Sequence, residues 1–353
     1  MANVAKYCSD KMSGETTKKM PMVIAFSLSF QRDDLLARGM GFEHLRELLS
    51  RLTRRILRQG ASIAYAGNWV DTKDNLTYTL LRQISAELEE NISEGRKNSE
   101  KERKKERGKL YNHSAWPHCL KITPNIEAQW ITHCRIVRIT QQEAELAEDD
   151  IVPDIDAHNK APRTIFNAAV TLSAMRRFQM EGMTIPILPQ TKEHIPPVVA
   201  RILLGGKVDG YSGFVPGIFE EALVTMQHKR PLYILGGFGG AAGILADAIR
   251  AKDTERPPEL TLAWHKKKNV ELARLLDSSR HFVLPPHCHS TKDLLDDLFA
   301  FVKKARGAPS STLNTGLSDA ETLTLLTTRD MTQAVNLVLQ GLMKENNLRH
   351  LPA

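Results

Sequence analysis

The chain has 353 residues, of which 42% are hydrophobic and 25% charged, an ordinary globular composition that excludes a wholly disordered protein. Its net charge of +7 is mostly local, because residues 96–109 carry eight basic and three acidic side chains, which leaves about +2 for the rest of the chain. No aromatic residue interrupts this basic run, so a solvated insertion is favoured over a nucleic-acid surface.

The four cysteines have no CxxC spacing, which favours a reducing compartment over a disulfide framework. No apolar stretch approaches the roughly 20 residues of a spanning helix, and the N-terminus has no signal-peptide apolar core. We therefore expect a cytoplasmic protein without membrane contact. The polar residues 1–20 are predicted to form a disordered leader.

Apolar runs and helical periodicities alternate along the rest of the chain. Met22–Phe30 predicts a buried strand, Phe42–Leu57 predicts an amphipathic helix that stops at Gly60, and residues 61–67 predict a second strand. The further predicted strands are 135–140, 200–204, 231–235 and 282–284, and the further predicted helices are 77–91, 165–180, 218–228, 241–251, 293–303 and 321–344.

This alternation predicts an α/β fold, with a Rossmann-like, doubly wound, mostly parallel sheet and a C-terminal helical tail. We expect a single domain over residues 21–345, with the charged insertion at about 94–109.

Two glycine-rich turns follow neighbouring predicted strands. Residues 201–222 read RILLGGKVDGYSGFVPGIFEEA and residues 231–243 read PLYILGGFGGAAG. Glycine there permits positive φ and lets backbone N–H groups approach a ligand. Because ligands bind at the C-terminal edge of an open parallel sheet and helix N-termini favour anions, we expect a phosphate on these turns. The alternative is tight packing of strand against helix.

The second turn does not match GxGxxG and lacks the Lys-Ser/Thr of a P-loop, so neither an ordinary dehydrogenase nor an NTPase is indicated. The candidate nucleotide-binding residues on the two turns are Gly205, Gly206, Lys207, Gly213, Pro216, Gly217, Gly236, Gly237, Phe238, Gly239 and Gly240.

Two adjacent carboxylates, Glu220 and Glu221, follow the first turn in the predicted helix. Acidic residues near a helix N-terminus favourably oppose its dipole whatever the function. Consecutive helical residues point about 100° apart, so one carboxylate can face a cleft, where it could bind ribose hydroxyls or activate water. They are the candidate catalytic residues.

Further candidate ligand contacts lie outside the turns. The Arg176 guanidinium could bind phosphate oxygens, as could Arg201, although a surface ion pair is the alternative for both. Ser27, and similarly Ser29, could donate a hydroxyl at the end of the first strand, and Gly67-Asn68 could contact a ribose or base. The adjacent residues of His287-Cys288-His289 are unsuited to converging on one zinc ion, and no metal is expected.

The glycine motifs, together with LSAMRRFQ at 172–179 and NTGLSDAETLTLL at 314–326, resemble the SLOG superfamily. More narrowly, they resemble the large SLOG domains of bacterial conflict and antiphage systems. The resemblance covers about residues 20–345. The superfamily also includes the lonely-guy phosphoribohydrolases and the N-terminal region of melastatin-type TRP channels.

The resemblance implies a protein that binds a nucleotide of the NAD or ADP-ribose type or cleaves a base from ribose. Lonely-guy enzymes carry PGGxGTxxE, whose glutamate is catalytic. Placing Gly236-Gly237 on that double glycine puts Gly243 at the glutamate position. We therefore expect binding or sensing, in antiphage or stress signalling.

The alternatives are a nucleosidase or NAD glycohydrolase that uses Glu220 or Glu221, and an oligomeric scaffold. The expected partners are a small-molecule nucleotide, a separately encoded effector protein and further copies of the chain in a homo-oligomer, with no nucleic acid.

Overall fold

The computed structural model describes residues 22–70, 72, 74–93, 108–188, 191–252 and 254–345. The predicted leader at 1–20 and most of the predicted insertion at 94–109 lie outside the described residues.

The described strands form a six-stranded parallel sheet and a separate antiparallel hairpin. The strands are β1 Val23–Ser29, β2 Ser62–Tyr65, β3 Leu110–Ala115, β4 Cys134–Ile139, β5 Met183–Leu188, β6 Thr191–Ile195, β7 Val198–Gly205 and β8 Leu232–Leu235. The sheet order is β4-β3-β2-β1-β7-β8, and β5 and β6 form the hairpin.

Helices cover both faces of the sheet. They are α1 Arg32–Leu36, α2 Phe42–Arg58, α3 Leu76–Ser93, α4 Pro124–Trp130, α5 Pro162–Glu181, α6 Gly217–Gln227, α7 Gly240–Arg250, α8 Leu262–Lys268, α9 Val270–Ser279, α10 Thr291–Gly307, α11 Pro309–Leu313, α12 Asp319–Thr327 and α13 Met331–Glu345. The predicted Rossmann-like α/β fold with a mostly parallel sheet and C-terminal helices is confirmed.

The sheet has a hydrophobic core on each face, and side chains of strand β1 contribute to both. Because successive side chains of a strand point to opposite faces, Val23 and Ala25 enter the core beneath α5, α6 and α7. Ile24 and Phe26 enter the opposite core, beneath α2, α3 and α13. Helix α2 buries its predicted apolar stripe in this second core. The chain leaves α2 through Gly60 at φ +74°, as the cap prediction requires.

The chain order places a topological switch point between β1 and β7. From β1 the chain builds β2, β3 and β4 on one side, then returns through the hairpin to build β7 and β8 on the other. Ser29 is in register with Gly205, so the C-terminal ends of β1 and β7 lie side by side. In open parallel sheets, ligands bind at such a point.

Two sequence predictions differ from the structure, and several elements were not predicted, among them β3, the β5–β6 hairpin, α4, α8 and α9. Residues 282–284 form no strand, because the Phe282 ring packs against the Phe166 ring at 5.1 Å and against the Arg163 guanidinium at 3.6 Å. The strand β3 was missed because its centre is polar. The predicted tail helix at 321–344 is two helices, α12 and α13, separated by residues 328–330.

Among the described residues, no helix has the length and apolar character that a membrane span requires.

Candidate functional site

A cleft of about 200 Å³ lies at the switch point, at the C-terminal ends of β1 and β7. It meets the first glycine-rich turn and the beginning of α6. The lining residues used below are Ser27, Ser29, Tyr65, Lys207, Tyr211, Gly217, Ile218 and Glu221.

A larger groove of about 330 Å³ runs along the C-terminal half of α7 and residues 255–259. None of its lining residues belongs to either glycine-rich turn or to the ends of β1 and β7. The smaller cleft is therefore the better candidate, because polar groups from several elements converge on it.

The first glycine-rich turn brings β7 close to β1 and α6. Gly205 and Gly206 have φ values of +65° and +101°, and the Gly206 N–H donates to the Ser29 carbonyl at 2.7 Å. A Cβ on Gly205 would lie 2.3 Å from that carbonyl oxygen, and one on Gly206 would lie 2.4 Å from Ile218. The close approach therefore requires glycine at both positions. The Lys207 N–H donates to the Ser29 hydroxyl at 3.2 Å, and the Lys207 side chain is exposed.

Helix α6 begins at the cleft without a side-chain cap. Its N-cap residue is Pro216, and its first two residues, Gly217 and Ile218, line the cleft. The N–H groups of the first turn of a helix have no partner within the helix. This end of α6 therefore has the polarity and the backbone donors that suit an anion.

A buried network of two arginines and two glutamates lies beneath the cleft. Arg176, from α5, donates through Nη1 to Glu220, and its Nε lies 3.9 Å from Glu221. Nη2 of the same guanidinium lies 3.0 Å from the position of a Cβ on Gly217, and Nη1 lies 3.4 Å from the position of one on Gly213. Arg176 thus supports the first turn from below.

Arg201, from β7, is buried and belongs to the same network. Burial lowers its pKa, although Glu221 opposes that shift. The surface ion pair considered from the sequence is wrong for this residue, and its guanidinium faces protein acceptors instead of solvent. Its donors reach Thr225 Oγ1 at 2.8 Å, Ser27 Oγ at 2.7 Å and Gln179 Oε1 at 3.0 Å.

The two candidate carboxylates have different surroundings. Glu220 is 4% exposed and accepts from Arg176. Glu221 lines the cleft, and the nearest guanidinium nitrogens, on Arg176 and Arg201, are each 3.9 Å away. Within the described part of the chain, neither Glu221 side-chain oxygen accepts a hydrogen bond. Glu221 is thus the carboxylate available to a ligand.

The second glycine-rich turn is buried beneath α12. A Cβ on Gly237 would lie 2.2 Å from the Thr328 carbonyl oxygen, and one on Gly236 would lie 2.5 Å from that of Leu326. Phe238 is buried in the core that includes α2.

The N-terminus of α7, which follows this turn, already has an acceptor. The Gly240 N–H donates to Asp34 Oδ2 at 2.7 Å, and the Ala241 N–H donates to the Gly206 carbonyl at 3.0 Å. A Cβ on Gly239 would meet the Arg38 guanidinium at 2.3 Å. The structure therefore brings the two turns together, and only the first one lines the cleft.

Gly67 and Asn68, the candidates after β2, do not line the cleft. A Cβ on Gly67 would lie 2.1 Å from the Tyr65 ring, so glycine is needed there for packing. The Asn68 carbonyl accepts from Thr77 Oγ1 at 2.7 Å, and its side chain accepts from Asn75 Nδ2 at 3.0 Å. These bonds shape the loop into α3.

Two tyrosines that the sequence analysis missed line the cleft. Tyr65 ends β2, and its phenol pKa is raised by burial. Tyr211 follows the first glycine pair, and its hydroxyl lies 3.1 Å from His265 Nδ1. The available signals were weak: an aromatic residue at a strand end, and another within a glycine-rich stretch.

Among the described residues, no group of three or more His, Cys, Asp or Glu side chains could hold a metal ion. Cys288 is buried, and burial raises the pKa of its thiol to about 12, so it stays protonated near pH 7. The His287-Cys288-His289 segment therefore supplies no thiolate.

Comparison with known proteins identifies the family. No curated protein matches the sequence. A family model described as SLOG cluster2 matches residues 18–325, which spans most of the chain and all of the elements around the cleft. SLOG domains are generally nucleotide-related. The chain therefore belongs to the SLOG cluster2 family, and its membership of the SLOG superfamily, which the resemblance of its glycine motifs predicted, is confirmed.

Proposed function

We propose that this protein binds a nucleotide of the NAD or ADP-ribose type in the cleft between β1 and β7. The observation that carries the proposal is the position of the Glu221 carboxylate at the cleft. This carboxylate lies there without a hydrogen-bond donor among the described residues, one turn along α6 from the uncapped start of that helix. A carboxylate that accepts no hydrogen bond in the free protein is a suitable acceptor for ligand hydroxyls.

The geometry suggests how the parts of the ligand would be distributed. A phosphate would accept from the first N–H groups of α6, at Gly217 and Ile218, and would attract the ammonium group of Lys207. A ribose would then lie one helical turn deeper, with its hydroxyls donating to Glu221.

The cleft accommodates only part of such a ligand. Its volume of about 200 Å³ is below the roughly 300–1,000 Å³ of typical small-molecule pockets. We therefore expect the cleft to hold one ribose and its phosphate. The remainder would extend past the exposed Lys207 side chain. The second turn is a poorer phosphate site, because Asp34 already accepts from its Gly240 N–H.

Binding can be measured by calorimetric titration and thermal shift with ADP-ribose, NAD, AMP and cyclic ADP-ribose isomers. Glu221→Gln should weaken the affinity for the bound compound about tenfold or more, because a charge-assisted hydrogen bond contributes roughly 1.5–3 kcal/mol. The matched control is Glu43→Gln, at a glutamate 64% exposed on α2. Unchanged affinity in a folded Glu221→Gln protein would contradict the proposal.

The same carboxylate supports a second candidate, hydrolysis of an N-glycosidic bond. Glu221 would accept a proton from water as the water oxygen bonds to the ribose C1′. The bond from C1′ to the base would break with its electron pair going to the base nitrogen, so that nicotinamide leaves NAD as a neutral molecule and adenine leaves AMP with a proton taken from solvent. Chromatography of NAD and AMP incubations would detect free nicotinamide or adenine. Base release that persists in both Glu221→Gln and Glu220→Gln would rule out this role.

The likeness to conflict-system domains extends the proposal to signalling, in which a homo-oligomer passes ligand binding to a separately encoded effector. Light scattering after size-exclusion chromatography, with and without ADP-ribose, would test the assembly. A monomer under both conditions would contradict it.

A further inference from the structure

One wall of the cleft is the short segment from Lys207 to Ser212. Four of its six residues are exposed, and Val208 is only partly buried against the core. Gly206 precedes it at φ +101°, and Gly210 lies within it at φ +60° with no heavy atom within 4 Å of an added Cβ. Segments with few buried contacts open readily. Two exposed hydrogen bonds also hold the segment, from the Lys207 N–H to Ser29 Oγ and from Gln31 Nε2 to Asp209 Oδ1 at 2.5 Å, and a buried contact would hold it more firmly.

Tyr211 is the residue of this segment that is buried, with 7% exposure. Its hydroxyl lies 3.1 Å from His265 Nδ1, and its backbone carbonyl accepts from Asn269 Nδ2 at 3.3 Å. Its ring also meets the His265 ring edge-on, with centroids 5.8 Å apart. These three contacts join the wall to α8 and to the residue between α8 and α9.

His265 connects this anchor to the floor of the cleft. It is fully buried, and its ring packs edge-on against Phe219, which precedes Glu220 in α6, with centroids 6.0 Å apart. Burial lowers the pKa of His265 to about 4, and the backbone of Glu259 opposes that shift. Burial also raises the phenol pKa of Tyr211. Near pH 7 both groups are neutral, so the phenol can donate to the imidazole.

We propose that Tyr211 is a positioning residue, whose contact with His265 holds the 207–212 wall in the conformation that forms the cleft. The inference rests on the proposed function only for its effect on affinity. The anchoring itself is a property of the free protein.

Hydrogen exchange with mass spectrometry on the full chain tests the anchor without any ligand. In Tyr211→Phe, which keeps the ring and loses the hydroxyl, amides of residues 207–213 should exchange roughly three- to tenfold faster. His265→Leu should have the same effect. His265→Asn should restore part of the protection, because its amide can occupy the position of the Nδ1 atom.

The matched control is Tyr233→Phe. Tyr233 is buried in β8, and its hydroxyl donates to the Thr315 carbonyl at 3.2 Å, so the same hydroxyl is lost far from the wall. This control should leave exchange at 207–213 unchanged. Wild-type exchange in Tyr211→Phe would overturn the proposal. An equal increase in Tyr233→Phe would also overturn it, because the effect would then be global loss of stability.

Titration with ADP-ribose supplies the functional measurement. If the wild-type protein binds ADP-ribose, Tyr211→Phe should raise Kd about threefold or more, and an unchanged Kd would overturn the positioning role. If the wild-type protein binds none of the nucleotides tested, the proposed function fails, while the exchange comparison still decides whether Tyr211 holds the wall.

Discussion

The two glycine-rich turns have nearly the same sequence character and follow neighbouring strands, yet they differ in their surroundings. The first turn borders an open cleft and leads to the uncapped start of α6. The second is covered by backbone atoms of residues 326–328, and its helix N-terminus is occupied by Asp34. The difference arises from what the rest of the chain places over each turn.

The comparison shows that glycine serves two purposes in one sheet. At Gly205 and Gly206 it allows two strands and a helix to converge beside a space. At Gly236 and Gly237 it allows a later helix to close that space. A glycine-rich turn at a strand end is therefore a candidate site, and the covering elements decide whether a ligand can reach it.

The largest expected loss of stability comes from replacing Arg201, which is buried beneath the first turn. Arg201→Met should destabilise the protein by about 3–5 kcal/mol, because it removes a buried cation from a network with Glu221. It also leaves Ser27 Oγ and Gln179 Oε1 without the hydrogen bonds that Arg201 donates to them. Urea unfolding measures the loss. Arg51→Met, which breaks an exposed ion pair with Glu47, should cost below about 1 kcal/mol. Similar losses in the two variants would contradict the network's role.

Gly237→Ala tests the closed character of the second turn. The added Cβ would lie 2.2 Å from the Thr328 carbonyl oxygen, so we expect a loss of about 1–3 kcal/mol in thermal or urea unfolding. Gly307→Ala is the control, because a Cβ there meets nothing within 4 Å. In the folded Gly237→Ala protein, nucleotide affinity should be unchanged. A variant of normal stability that has lost affinity would restore the second turn as a binding loop.

Asp34→Asn tests the occupied start of α7. The amide of Asn keeps an oxygen that can accept from the Gly240 N–H, now 2.7 Å from Asp34 Oδ2, but removes the negative charge at the start of α7, which should cost about 0.3–1 kcal/mol. Asp33→Asn, at the exposed neighbour in α1, should leave the urea midpoint unchanged. If Asp34→Asn alters ADP-ribose affinity instead of stability, the ligand reaches the second turn.

A further expected effect is a dependence of stability on pH at His265, beneath the first turn. The ordinary histidine pKa is 6.5, and that of His265 in the folded protein is about 4. Between these values the unfolded chain takes up a proton that the native state excludes, so stability is lost as pH falls through this window. The urea midpoint of His265→Asn should therefore fall less between pH 7 and pH 5 than that of the wild type. Equal falls would contradict the assignment.

Much of the fold could be predicted because its patterns are local. The apolar run at β1, the helical stripe of α2 and the glycines after β7 and β8 each reflect a neighbour within a few residues. Strand β3 was harder to predict, because Asn112, His113 and Ser114 interrupt its apolar pattern. Asn112 is buried because it accepts from Trp69 Nε1 at 2.9 Å, a partner 43 residues away.

The position of the candidate site could be predicted from the sequence, but the surroundings of its individual side chains could not. The sequence placed Glu220 and Glu221 near a helix N-terminus beside a glycine-rich turn, which the structure matches. It could not distinguish them, since one pairs with Arg176 from α5 and the other lies at the cleft. Tyr211 also acquires its role from a distant residue, His265, 54 positions along the chain.

Local sequence patterns were sufficient to predict the parallel α/β fold, the two glycine-rich turns and the family, because strand and helix periods and turn chemistry act over short distances along the chain. The three-dimensional packing establishes which turn borders a cleft, which glutamate is available to a ligand and that both Arg176 and Arg201 are buried. These properties depend on contacts between residues far apart in sequence, and the burial and charge around a side chain are set by all the elements packed against it.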